Sequence, residues 1–182
     1  PHLHLALQSG SENVLRIMGR PYSAAFFREL VAELVRDHPE ICLGADVLVG
    51  HPGETEEDFA RTRDLLAELP LAYFHCFSYS RRPRTRAAVM PGQVPPDEIK
   101  RRVGLLREIG QDKRRAFLDA SLGSTRPALI ENSRDHKTGL VRGLTDNYIQ
   151  VLIPDPAPEP NTIVPVLLQE LTPGLQVLAR PA

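Results

Sequence analysis

Three stretches of this sequence hold residues whose types and spacing can do chemistry. The first runs from Asp46 to Phe59. Val47, Leu48 and Val49 form an apolar run that reads as a buried strand. It meets Gly50-His51-Pro52-Gly53, a turn neither strand nor helix would continue through. Thr55 then opens a helix, with its hydroxyl placed to accept from the backbone N–H of Asp58 and with Glu54, Glu56, Glu57 and Asp58 at the positive end of the helix dipole. Strand, glycine turn and capped helix place that turn at the carboxyl edge of an α/β sheet, where ligands bind. The two glycines let a ligand approach the backbone; a tight turn with no ligand explains them equally well. The second group is His4, Asp46 and His75, which can converge on one sheet face and hold a divalent metal, as in metal-dependent hydrolases. The third is Arg81-Arg82-Pro83-Arg84-Thr85-Arg86, a basic loop suited to phosphates or simply solvated.

Regular elements must position these groups. His2 to Ser9 alternates, with Leu3, Leu5 and Leu7 on one face and His2, His4, Ala6 and Gln8 on the other. Ser23 caps a helix with the stripe Phe26, Phe27, Leu30, Val31, Leu34 and Val35, ended by Pro39. Ile41 to Val49 is the second strand, Thr55 to Leu69 its helix, and Leu71 to Ser80 a third, aromatic-rich strand. This order predicts βαβ units and a parallel sheet. The inward phase puts Asp46 and Gly50 on the same face as Tyr73, His75, Phe77 and Tyr79. A long helix follows from about Asp97 to Ala120. From Leu122 the texture changes to short strands between glycines and prolines, with Ile149, Val151 and Ile153 expected inside and Tyr148 and Gln150 outside. Tyr148 reads either as a surface ring that stacks on an unpaired base or as a core anchor. Five such strands predict a small antiparallel OB-like barrel, a fold that commonly binds nucleic acid. The expected fold class is α/β, half of a (β/α) barrel (residues 1–121) followed by that small barrel (residues 122–182).

Composition narrows the choice. The chain has 182 residues, 42% hydrophobic and 25% charged, with a net charge of −1. That excludes a globally basic nucleic-acid binder, so any basic patch must be local. Two cysteines, Cys42 and Cys76, give neither a disulfide framework nor a metal knuckle, and the expected setting is the cytoplasm, with no membrane partner. The start at Pro1, directly before strand-like sequence, reads as a cut from a longer polypeptide.

In these residues the sequence resembles the radical S-adenosylmethionine methylthiotransferases. The matching motifs are His2-Leu3-His4-Leu5, Leu7-Gln8-Ser9-Gly10-Ser11, Asp46 through Phe59, and Tyr79-Ser80-Arg81 followed by Thr85 and Ala87-Ala88. Gly143-Leu144-Thr145-Asp146-Asn147-Tyr148-Ile149 resembles the last strands of that family's TRAM domain. His75 and the Asn147-Tyr148 pair look closest to the branch acting on threonylcarbamoyladenosine in tRNA. His51, Arg84 and Arg86 depart from the family's usual aromatic, glycine and proline.

The resemblance implies insertion of a methylthio group at C2 of a modified adenosine beside the anticodon, using S-adenosyl-L-methionine and two [4Fe-4S] clusters. Cys42 and Cys76 do not match the cluster motif, so the cluster ligands are expected in the N-terminal remainder of the polypeptide, and neither a catalytic nor a metal-binding residue in this chain. Implied for the cofactor wall are Gln8, Ser9, Asp46, Gly50, Gly53 and Tyr79. Implied for the tRNA anticodon stem–loop are Arg81, Arg82, Arg84, Lys137, Arg142, Asn147 and Tyr148. A metal-dependent hydrolase built on His4, Asp46 and His75, or a non-catalytic RNA-binding module, are the competing readings.

Overall fold

Short polar side chains start the early helices. Ser11, Ser23 and Thr55 each have extended backbone and accept from an N–H three residues on, at Val14, Phe26 and Asp58. This satisfies donors the first helical turn leaves open. At Thr55 the Asp58 carboxylate also accepts the Thr55 N–H, completing a reciprocal capping box.

The computed structural model describes all residues, 1–182. Element order is β1 (His2–Gln8), α1 (Glu12–Ile17), α2 (Ala24–Asp37), β2 (Cys42–Val49), α3 (Glu56–Glu68), β3 (Tyr73–Ser78), α4 (Arg86–Val89), α5 (Pro96–Ser121), then β4 (Thr125–Arg134), β5 (Val141–Thr145), β6 (Gln150–Ile153), β7 (Ile163–Leu171) and β8 (Val177–Pro181). No helix is long and apolar enough to cross a membrane. The chain divides into two units, one of Leu3–Pro39 and Leu43–Lys113, the other of Pro1–His2, Glu40–Cys42 and Arg114–Ala182.

The first unit is built on a three-stranded sheet in the order β1-β2-β3. β2 and β3 are parallel, with Gly44 opposite Tyr73, Asp46 opposite His75 and Leu48 opposite Phe77. Alternation then sorts the faces. Leu7, Leu43, Ala45, Val47, Val49 and Phe74 are buried. On the other face His4, Asp46, His75 and Phe77 are partly or fully exposed. The hydrophobic face holds the sheet against its helices, which leaves the polar face free for function.

The second unit is a closed barrel in the order β4-β5-β6-β8-β7, as the α/β-then-barrel reading expects. Ile130, Ile149, Val151, Ile153, Val166, Leu168 and Val177 fill it, together with Leu118 from the end of α5. Four ladders are antiparallel; β6 with β8 is parallel, because β8 inserts between β6 and β7 to close the ring. β4 is longer than its four-residue apolar run suggests, continuing past a register shift between Ile130 and Arg134.

Two local features differ from expectation. The arginine-rich loop leads into a helical turn, α4, because Thr85 caps it by accepting from Ala88 N–H. Phe26 lies on the helical stripe yet is 54% exposed, while Phe27 and Val31 carry the burial of α2.

Gly50 and Gly53 separate two costs. Both have positive φ, 84° and 87°. A Cβ on Gly50 would sit 2.4 Å from Ile99 Cγ1; one on Gly53 would meet only Ile17 Cδ1 at 3.4 Å. Gly50→Ala is expected to cost about 2–5 kcal/mol, strain plus overpacking, against about 1–2 for Gly53→Ala. Urea midpoints of the two variants check this; equal losses would mean Ile99 yields freely.

Candidate functional site

The carboxyl ends of β1, β2 and β3 form one edge, and the open sheet face leads up to it. On that face His4 is fixed from both sides. A carboxylate only accepts, so His4 Nε2–H donates to Asp46 Oδ1, at 2.8 Å. Nδ1 lies 3.1 Å from the Tyr73 hydroxyl. The His75 ring stacks on His4 at 5.2 Å between centroids, with Tyr73 and Phe77 edge-on to it at 5.3 and 6.3 Å. Gly44 makes room for this group: a Cβ there would lie 2.4 Å from Tyr73 and 2.7 Å from His4 Nδ1. His4, Asp46 and His75 therefore do come together, as the sequence suggests, but as a stacked and hydrogen-bonded cluster. No group of three His, Cys, Asp or Glu side chains is arranged to hold a metal ion. The hydrolase reading has no site.

The edge itself is tied down from beneath. Ser9 is fully buried, with its hydroxyl 3.1 Å from Thr62 Oγ1 and accepting the Ser11 N–H. Ser11 donates to Asp58 Oδ1 at 2.5 Å, and Asn13 donates to Asp58 Oδ2. Burial pushes the Asp58 carboxyl up, but hydrogen bonds from Ser11, the Thr55 N–H and hydroxyl, and Asn13 outweigh it and hold the group below its ordinary value. Gln8, at the strand end, is half-buried with φ 67°, a left-handed conformation unusual outside glycine.

The β2 turn is clamped in the same way. Glu54 Oε2 accepts the Gly50 N–H at 2.8 Å and Arg102 Nη1 at 2.8 Å, with both side chains almost wholly buried. Burial drives the Glu54 carboxyl up; the Gly50 N–H and Arg102 pull it partly back. Gly53 N–H donates to Gly92 O. Both glycines thus serve the turn and its packing. His51 is buried against the Tyr79 ring, and burial lowers its pKa. The Tyr79 hydroxyl is buried with no hydrogen-bond partner.

The expected RNA-contacting residues fall in two places. In the basic loop, Arg81 donates to Ala88 O and closes the loop, while Arg82 and Arg84 are exposed. In the barrel unit, Lys137 is exposed and Arg142 lies 3.8 Å from Glu131. Asn147 is buried, its Oδ1 accepting from the Thr145 hydroxyl, so it shapes the β5–β6 turn. Tyr148, 45% exposed at φ 63°, stacks on His2 at 4.2 Å and accepts from Arg114 through its carbonyl. Sequence reading missed Arg102, Thr62 and the His2–Tyr148 pair; only the Thr145-Asp146-Asn147 turn chemistry carried a local signal.

No family model matches the chain. Comparison with curated proteins does find relatives. The chain is 39% identical over 151 residues to the threonylcarbamoyladenosine tRNA methylthiotransferase MtaB of Aquifex aeolicus, covering 83% of the chain and 35% of that protein. The chain belongs to the tRNA methylthiotransferase family. A second MtaB, from Treponema pallidum, is 39% identical over 84% of the chain and 30% of its own length. The tRNA-2-methylthio-N(6)-dimethylallyladenosine synthase of Desulfitobacterium hafniense is 34% identical over 93% of the chain and 38% of its own. The chain spans about a third of the length of the methylthiotransferases it matches.

The cysteines do not suit an iron–sulfur cluster, which needs several thiolates on one site. Burial pushes the Cys42 thiol up and the Cys76 thiol to about 11, so both stay protonated at neutral pH. Anaerobic reconstitution of this chain with iron and sulfide is expected to leave it colourless, with substoichiometric iron; cluster absorbance would overturn that.

Asp58 makes a pH prediction. Its folded pKa lies below the unfolded one, so its stabilisation is fully present above about pH 4 and is lost as pH falls through the folded value. Asp58→Asn should cost about 1–3 kcal/mol at neutral pH and flatten the acid limb of stability. Urea midpoints from pH 7 to pH 2 check both; an unchanged acid limb would assign the acid sensitivity elsewhere.

Proposed function

We propose that this chain is the C-terminal part, residues 1–121, of a radical S-adenosylmethionine barrel plus a TRAM domain, residues 122–182, of a cytoplasmic tRNA methylthiotransferase that acts at C2 of threonylcarbamoyladenosine beside the anticodon. The observation that carries this is the 39% identity over 83% of the chain to a protein of that name. The open sheet face supports the branch: its His75 imidazole is exposed, within a cluster of hydrogen-bonding rings suited to a polar, carboxylate-bearing substituent.

S-adenosylmethionine fits the edge in part. Gln8, presented by its left-handed backbone, and the Asp46 carboxylate supply an amide and an acceptor of the kind that bind hydroxyls and an ammonium group. Bound there, with clusters held outside this chain, the cofactor supplies the radical chemistry of the reaction. The chain's own residues do the positioning. His4 holds Asp46. Ser9 acts from below, keeping Gln8 in place through Thr62. Gly50 and Gly53 set the turn, and the Tyr79 ring backs His51. For the tRNA, Arg82, Arg84, Lys137 and Arg142 meet phosphates, Arg81 holds its loop, and Asn147 keeps the turn that presents the stacked Tyr148 ring.

The test is mass spectrometry of bulk tRNA from cells with and without the gene. Loss of the methylthio group from threonylcarbamoyladenosine, with dimethylallyladenosine modification intact, is expected. The reverse pattern would move the protein to the other branch; no change in either would discard the reading. In the complemented strain, Gln8→Ala should raise the S-adenosylmethionine requirement about ten- to hundred-fold, while Asn147→Ala should act through barrel stability.

A further inference from the structure

We infer that the groove between the end of β3 and α5 is a docking site for a phosphodiester of the substrate RNA. It rests on the reading of this chain as part of a tRNA-modifying enzyme. The groove has a volume of about 520 Å³ and is lined by Ser78 and Tyr79 from β3 and its exit and by Ile99, Lys100, Gly104 and Arg107 from α5, among others.

Three independent observations point to an anion there. First, Lys100 and Arg107 stand on one stripe of α5, seven residues apart, and neither makes an ion pair. Their neighbours differ: Arg101 and Arg102 are consumed by Glu54, Glu56 and Glu98. Lys100 and Arg107 carry no such carboxylate, and of the cations of α5 without an ion pair they are the two that line the groove. Second, Gly104 lies between them, in the interior of a 26-residue helix where glycine is disfavoured relative to alanine. A Cβ there would meet nothing within 4 Å, so no packing demands the glycine. Without a side chain it leaves the groove floor between Lys100 and Arg107 bare. Third, Tyr79, on the groove wall, has a buried hydroxyl with no protein partner, in a structure that satisfies every other buried side-chain polar atom. The two cations match the charge of a phosphate, the exposed Ser78 lies beside them and the Tyr79 hydroxyl is recessed in the wall behind; the site sits at the same sheet edge as Gln8 and the Gly50 turn.

The groove is separate from the Arg82–Arg84 loop and makes a different prediction. In the full-length enzyme, Lys100→Gln/Arg107→Gln is expected to weaken binding of a labelled anticodon stem–loop about tenfold near physiological salt. It should also reduce the slope of log affinity against log salt by about 1–2, as expected for two lost phosphate contacts. Gly104→Leu, which keeps both charges but fills the groove, should weaken binding comparably without lowering the melting temperature. Arg115→Gln, elsewhere on α5, should change neither affinity nor slope.

Equal affinity and slope in the double variant and the wild type would overturn the inference. So would a Gly104→Leu enzyme that binds normally, or an Arg115→Gln loss as large as the double variant's, which would mean a diffuse field. Inorganic phosphate titrated alone separates the sources. Millimolar binding lost in the double variant, with RNA affinity unchanged, would mean a small-anion site and overturn the RNA assignment. Failure of the wild-type enzyme itself to bind the stem–loop would instead count against the function proposed above.

Discussion

One carboxylate oxygen fixes the geometry of the sheet edge. Glu54 Oε2 accepts both the Gly50 N–H, at the end of β2, and Arg102 Nη1, from the second turn of α5. Arg102 is itself held over the Phe59 ring at 5.2 Å and by Glu98 and Glu56. A buried pair of this kind is a poor net source of stability against an apolar alternative, but losing one partner costs about 3–5 kcal/mol because the other stays buried and charged. Its value is therefore in specifying position. The turn, the start of α3 and α5 move together or not at all.

A second polar knot does the same for β1. The Ser9, Thr62, Ser11 and Asp58 side chains link the end of β1 to α1 and to the capping box of α3. With both strand ends tied from below, the open face above needs no stabilising role. His4, Asp46, Tyr73, His75 and Phe77 are free of the demand for burial, since Leu43, Ala45, Val47 and Val49 behind them supply it.

What was legible in the sequence was what is local. The Thr55–Asp58 box spans three residues, and the alternation in β1 and β2 can be read along the chain. Long-range partners were not. Ser9 has the look of a ligand contact until Thr62, 53 residues on, claims its hydroxyl. Gly50 reads as a backbone opened for a ligand, whereas Ile99 fills the space. Arg101 and Arg102 are adjacent and chemically alike, yet one side chain is 46% exposed and the other 5%. No periodicity argument separates them, because the difference lies in which carboxylates α3 and its preceding turn bring up. The metal reading failed for a related reason: three suitable side chains converge, but aromatic stacking and the Asp46 contact fix His4 in another role.

The barrel's strand order carries a consequence for how the chain is made. β8 sits between β6 and β7, so its five residues complete two ladders at once. During synthesis β4 to β7 emerge first, and β6 and β7 each expose an unpaired edge until β8 follows. Closure depends on contacts far apart in sequence, which form slowly. A nascent chain stalled before Val177 would present two sticky strands to its neighbours. The barrel strand that is synthesised last is thus also the one that makes the barrel safe from aggregation.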